Sequence, residues 1–130
     1  MPLNFDTVAA AGSMLGSGAL VVMAEGTDLL AAATNVLRFF RNESCGKCVP
    51  CRVGSAKAHR ILSDLLAQGG GPADVDGQIR QLEETLRKTS ICGLGQVALG
   101  PVISVLRLPP EATGTRHPSP APGEENDDGG

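Results

Sequence analysis

Four cysteines are the residues whose type and spacing could do chemistry in this chain: Cys45, Cys48, Cys51 and Cys92. The first three stand at consecutive C-x2-C spacings in Ser44-Cys45-Gly46-Lys47-Cys48-Val49-Pro50-Cys51, and the fourth follows after 40 intervening residues. A thiolate is both a metal ligand and a redox group, so clustered cysteines with no spares point to a metal centre. A cubane iron–sulfur cluster has four iron corners, each taking one thiolate. Two-residue gaps let three sulfurs converge on three corners, and a distant residue then closes the fourth. Gly46 would relieve crowding where the backbone bends around the cluster, and Gly93 and Gly95 could do the same beside Cys92. Tetrahedral zinc also takes four thiolates, though typically from two separated C-x2-C knuckles, and it stays open as the alternative. Disulfides are opposed by the tight loop and by a reducing compartment.

Little else in the sequence competes for chemistry. His59 reads as an exposed surface histidine on a helix, and His117 falls in the tail. Lys47 and Arg52 either place positive charge near the cluster, which would tune its potential, or are solvated side chains. Ser44 either donates a hydrogen bond to a cluster sulfur or simply ends the first helix. Glu83/Arg87 and Glu84/Lys88 have the i,i+4 spacing of ordinary helix support. No serine or cysteine triad pattern is present, and no carboxylate pair shows an acid–base arrangement.

The elements that must position the cysteines are helical. Thr27 or Asp28 caps a segment in which Leu29, Leu30, Ala33, Val36, Leu37 and Phe40 recur at helical spacing. A second helix follows Cys51, with Val53, Ala56, Ile61, Leu62, Leu65 and Leu66 as its apolar positions, and stops at Gly69-Gly70-Gly71-Pro72. A third begins near Asp74 and aligns Val75, Ile79, Leu82 and Leu86 opposite a charged face. The fourth follows Cys92 through Val97, Ala98, Val102, Val105 and Leu106, with Pro101 either kinking it or marking its true first turn. Ahead of these, Asp6 is placed to cap a short turn and Ala19–Met23 reads as a buried strand. The expected fold is mainly α: a small four-helix bundle with the cluster at one end, a short N-terminal strand/turn segment and a disordered C-terminal tail. The domains divide at 1–26, 27–108 and 109–130.

Composition narrows the function classes. The chain has 130 residues, a single-domain length, and no Trp or Tyr; its aromatics are Phe5, Phe39 and Phe40. The core must therefore be aliphatic. The net charge of −3 is unevenly spread, since Glu111, Glu124, Glu125, Asp127 and Asp128 face only Arg116 from Pro109 onward. Residues 1–108 keep ten basic against nine acidic residues, a charge of +1, with no electrostatic footprint for nucleic acid or an anionic membrane. The Pro-, Gly- and acid-rich tail buries too little apolar surface to offset its ordering entropy. The apolar stretch Ala9–Ala24 has no basic residue before it, is interrupted by glycines and is too short to span a bilayer. A cytoplasmic protein without membrane insertion is expected.

At the cysteines the sequence resembles a known family. Glu43 through Gly54 (ESCGKCVPCRVG), followed by Ile91-Cys92-Gly93-Leu94-Gly95, is similar to the C-terminal iron–sulfur domain of the NADH-binding flavoprotein subunit of respiratory complex I. The related subunits of NAD-linked formate dehydrogenases and hydrogenases carry the same domain. The stretches Asn4-Phe5-Asp6 and Ala9–Gly18 also resemble the segment that precedes it, so the likeness covers residues 3–107. The resemblance implies one [4Fe–4S] cluster on Cys45, Cys48, Cys51 and Cys92, taking electrons from reduced flavin and passing them to further iron–sulfur centres. It also implies partner subunits: a thioredoxin-like [2Fe–2S] subunit, a larger iron–sulfur subunit and a separate flavin- and NADH-binding chain. The family's glycine-rich phosphate loop has no counterpart in residues 1–26, where Gly16-Ser17-Gly18 alone is not a phosphate cradle. FMN and NAD are therefore not expected on this chain. The expected function is an electron-transfer module of an NADH dehydrogenase-like oxidoreductase, not catalytic alone. The alternatives are a metal-stapled docking domain and an enzyme fragment restored by its missing half. Residues 1–26 are expected to pair with a partner chain or to stay mobile, because an unpartnered strand leaves an open edge.

Overall fold

The computed structural model describes residues 2–68, 74–109 and 112–113. Six α-helices run in order among them: α1 (Phe5–Ala10), α2 (Leu29–Glu43), α3 (Ser55–Gln68), α4 (Val75–Thr89), α5 (Gly93–Val97) and α6 (Gly100–Leu106). A π-helical turn, Pro50–Gly54, leads directly into α3. The fold is mainly α, with no strand among the described residues. None of the helices there is long and apolar enough to cross a membrane. The Gly69-Gly70-Gly71-Pro72 break, His117 and most of the acidic tail lie outside the described residues.

Local chemistry explains where the helices start and stop. Asp28 caps α2, its Oδ1 accepting from the Ala31 N–H at 2.9 Å. Ser44 ends α2 in an extended conformation. The fourth helix expected from the pattern is two: α5 stops at Val97, and α6 restarts with Pro101 in its first turn. Proline has no N–H to give a preceding carbonyl and its ring crowds the turn before it, so the chain tolerates it only as a new beginning. Along α4, Asp76–Arg80, Glu83–Arg87 and Glu84–Lys88 pair at i,i+4 on the exposed side. Each adds only about 0.3–0.5 kcal/mol.

One aliphatic core is shared by four helices. α2 packs on α3 and α6, and α4 packs on the π-helical turn, α5 and α6. Leu30, Ala33 and Leu37 of α2 meet Ala58 and Leu62 of α3, Ile79 and Leu86 of α4, and Val102 of α6. The small residues Ala33, Ala58 and Ala98 are fully or almost fully buried, which lets the backbones approach closely where no aromatic fills the space. The expected apolar positions hold best on α4, where Val75, Ile79 and Leu86 are buried and Leu82 packs against the core. Of the positions expected for α3, Leu62 is buried and Ile61 and Leu65 pack against the core, whereas Leu66 and, in the π-helical turn, Val53 are exposed; Ala58 is a buried position the pattern did not include.

The N-terminal region departs from the sequence reading in two places. Asn4, not Asp6, caps α1: its Oδ1 accepts from the Thr7 N–H at 2.9 Å in a capping box, and Asp6 sits in the first turn. Ala19–Met23 is not a buried strand. Leu20 is 83% and Val22 86% exposed, and no described residue pairs with this stretch in the ladder of hydrogen bonds that a strand requires. At the other end, the Leu29 N–H donates to the carbonyl of Thr113 at 2.9 Å, and Thr113 is buried. Thr113, beyond the boundary expected at 108, is thus held against the start of α2.

His59 is half-buried between α2 and α3 rather than fully exposed. Its Nδ1 lies 3.2 Å from Nη1 of Arg41, which can only donate, so Nδ1 accepts and the imidazole is neutral. Ser63 Oγ lies 3.4 Å from the same nitrogen. Burial holds the imidazole pKa below its ordinary value, with the positive charges of Arg41 and Arg38 adding to the effect. The unfolded chain therefore binds a proton more readily than the folded one. Stability contributed by neutral His59 is complete above about pH 6.5 and is lost as pH falls below that value.

This packing can be tested at two positions. Leu37→Ala, at a position with no exposure, lowers unfolding stability by about 2–5 kcal/mol in denaturant titrations, whereas Phe39→Ala, at a 57% exposed position, costs far less despite the larger truncation. Equal losses would overturn the assigned face of α2. In a stability series from about pH 7.5 to 5.5, spanning the ordinary imidazole range, His59→Gln shows a smaller decline than the wild type, because the amide cannot charge. Parallel curves would refute the neutral-imidazole account.

Candidate metal centre

The loop after α2 is shaped by three local features. Ser44 turns the chain out of the helix, Gly46 carries a φ of +77°, and Pro50 opens the π-helical turn that contains Cys51. A side chain at Gly46 would be strained by that φ, and its Cβ would lie 2.5 Å from Nη2 of Arg52. The Arg52 guanidinium is thus folded back over the cysteine loop, and Lys47 lines the same pocket as the thiols. The π-helical turn is tied to its neighbours by the Arg52 N–H donating to the Cys48 carbonyl at 3.2 Å and by Ser55 Oγ donating to the Cys51 carbonyl at 2.6 Å.

Cys92 arrives from the opposite direction, at the N-cap position of α5. Two contacts fix it against the loop. The backbone N–H of Ile91 reaches the Cys48 sulfur, and this hydrogen bond, with a second from the Cys51 backbone, holds the Cys48 thiol below its ordinary pKa. Gly95 passes so close to the loop that an added Cβ would lie 2.5 Å from Ser90 Oγ and 2.9 Å from Cys51 Cβ. Gly95 therefore serves the close approach expected of it, whereas Gly93 has open space beside it.

All four sequence-predicted cysteines line one pocket of about 240 Å³, together with Ser44, Ile91 and Leu94. None is in a disulfide. Cys51 is buried, Cys48 is half-buried, and Cys45 and Cys92 are exposed. Among the described residues, no three His, Cys, Asp or Glu side chains converge as the ligands of a single metal ion.

Two serines border Cys51. Ser44 Oγ accepts from the Cys51 thiol at 3.3 Å, so Ser44 both ends α2 and touches a candidate ligand. Ser90 Oγ is the buried side-chain polar atom left without a partner among the described residues. The sequence reading did not single out Ser90 or the Ile91 amide. Their only signal was adjacency to Cys92, and a backbone amide leaves no mark in residue identity.

The donor set fits an iron–sulfur group. Four thiols face one pocket, an amide already points at a sulfur, and a hydroxyl lies against the most buried of the four. Sulfur-rich ligation with N–H and O–H donors around it is what such clusters use.

Residues 31–114 match the family described as the NADH-ubiquinone oxidoreductase-F iron-sulfur binding region. The chain is 38% identical over 104 residues to the NADP-reducing hydrogenase subunit HndC of Solidesulfovibrio fructosivorans, covering 80% of this chain and 21% of that protein. It is 38% identical over 107 residues to the F subunit of the NADH-quinone oxidoreductase of Streptomyces coelicolor, covering 82% of this chain and 24% of that one. The corresponding NADH-quinone oxidoreductase protein of Rickettsia bellii is 32% identical over 105 residues, 81% and 25% of the two chains. This chain thus spans about a quarter of the length of these relatives. With the matched region running from α2 past α6 and containing all four cysteines, the chain belongs to the NADH-ubiquinone oxidoreductase-F iron–sulfur binding region family.

Proposed function

We propose that Cys45, Cys48, Cys51 and Cys92 hold one [4Fe–4S] cluster, and that the chain is an electron-transfer module of a multi-subunit NADH dehydrogenase-like oxidoreductase. One observation carries the reading: the chain's four cysteines, one of them 40 residues beyond the other three, line a single pocket. When bound, the cluster supplies one-electron transfer.

The protein's own residues do the rest. The loop after α2 presents two thiols, the π-helical turn that follows it presents the third, and the start of α5 presents the fourth. The Ile91 backbone lowers the pKa of the Cys48 thiol, a shift towards the thiolate, which is the ligating form. Lys47 and Arg52 place positive charge beside the loop, which favours the more negative, reduced state of a cluster there, while Glu43, which lines the same pocket, acts in the opposite direction. A tetrahedral zinc ion, with sulfurs about 2.3 Å from the metal, is the alternative; the family's description as an iron-sulfur binding region supports the polynuclear group.

The relatives are named as subunits of a quinone oxidoreductase and of a hydrogenase, which supports partner subunits here. Residues 1–26 hold no phosphate-binding glycine loop, so FMN and NADH belong to a separate flavin- and NADH-binding chain or segment in the assembly. A thioredoxin-like [2Fe–2S] subunit is the companion the family resemblance implies.

Anaerobic purification tests this directly. The expected product contains about four irons and four sulfides per chain, with a broad visible absorption that dithionite bleaches. Cys92→Ser loses or destabilises that chromophore and lowers thermal stability. Bound zinc without sulfide would install the docking-domain alternative. An unchanged spectrum in Cys92→Ser would overturn the ligand set.

A further inference from the structure

The pocket holds one contact whose chemistry must change when a metal group is bound. Ser44 Oγ lies 3.3 Å from Cys51 Sγ, with Ser44 6% and Cys51 5% exposed. While Cys51 carries its proton, the thiol is the donor and the serine the acceptor. A ligating cysteine has lost its proton and can only accept. Both groups are almost wholly buried, so few solvent hydrogens can take the vacated place. The Ser44 hydroxyl, which has one proton and freedom to rotate, is the neighbour already in contact with that sulfur.

We propose that Ser44 reverses its role on ligation and donates an O–H···S hydrogen bond to the Cys51 thiolate, making it a side chain that raises the reduction potential of the centre. The inference rests on the cluster reading above. The direction follows from charge. Reduction adds an electron, part of whose charge falls on the thiolate sulfurs, and a hydrogen bond to a more negative acceptor is stronger. A donor at Cys51 therefore stabilises the reduced state more than the oxidised one. Three features make Ser44 suited to this task rather than a mere helix stop. Its extended backbone at the end of α2 aims it across the loop, it lines the pocket itself, and its partner is the most buried of the four cysteines. Where the surroundings are dry, a single O–H dipole is least screened.

The test is a redox titration of the full chain, reconstituted anaerobically with ferrous iron and sulfide and followed by EPR. Ser44→Ala shifts the midpoint to more negative potential, and Ser44→Thr, which keeps the hydroxyl, returns it towards wild type. Ser44→Gly removes the hydroxyl at a position where helix ends accept glycine, and gives the same negative shift if the alanine variant does not fold. A midpoint unchanged in both hydroxyl-free variants at full iron and sulfide content overturns the inference and leaves the cluster reading intact. So does a fall in thermal stability without any potential shift, the signature of a purely structural serine. A wild-type chain that takes up no iron and sulfide overturns both.

Discussion

The cysteine pocket depends on the chain returning to its starting end after a long excursion. Cys51 sits in the π-helical turn that leads into α3, and Cys92 opens α5 directly after α4. α3 has 14 residues and α4 has 15, so at about 1.5 Å per residue the outward and return paths differ by roughly one residue's rise. The match in length sets the two ends of the excursion side by side. A direct contact fixes it: Leu86 near the end of α4 lies against Gly54, the last residue of the π-helical turn before α3, where an added Cβ would overlap Leu86 Cδ1. A bulkier residue at that position would push the return helix away, and with it the segment carrying Cys92.

The aliphatic core enforces the return, and the polar contacts at the cysteine end refine it. Ile79, Leu62, Leu37 and Val102 are all without exposure and lie on four different helices, so sliding any one helix would open a void among them. Contacts at the pocket are of another kind: an amide to a sulfur, a thiol to a hydroxyl, a glycine pressed against a cysteine's Cβ. Such contacts fix geometry to a fraction of an ångström but add little net free energy each. The division suits a site whose ligands must be in place before a group is captured.

What the sequence revealed and what it concealed divide along physical lines. α2, α3 and α4 were legible because amphipathic periodicity and an Asp cap are local signals. The cysteine set was legible as a motif, and the pocket brings together all four of the predicted residues. Ala19–Met23 misled because β-branched composition records what a strand would bury, not whether another strand lies beside it. His59 misled for the converse reason: its polar neighbours along the chain suggest a solvated side chain, while the burial that lowers its pKa, and Arg41 and Arg38 that add to it, come from packing against another helix. The cap at Asn4 against Asp6 turned on a two-residue shift that propensity alone does not resolve.

The graded burial of the cysteines carries the last step. Cys51 faces the core, its carbonyl held by Ser55, which has no exposure, and its sulfur by buried Ser44. Cys45 and Cys92 stand at the surface beside Val49 and Ile91, each 71% exposed. A centre held by these four would therefore feel two environments: a dry, hydrogen-bonded one at the Cys51 corner and an open one at the Cys45 and Cys92 corners. Because charge is less screened on the dry side, substituents near Cys51 weigh more heavily on the electronic state of the group than those at the rim. The rim is where an electron would enter or leave, since the distance to anything outside the chain is shortest there. With such a centre bound, tuning and access would fall to different cysteines of the same pocket.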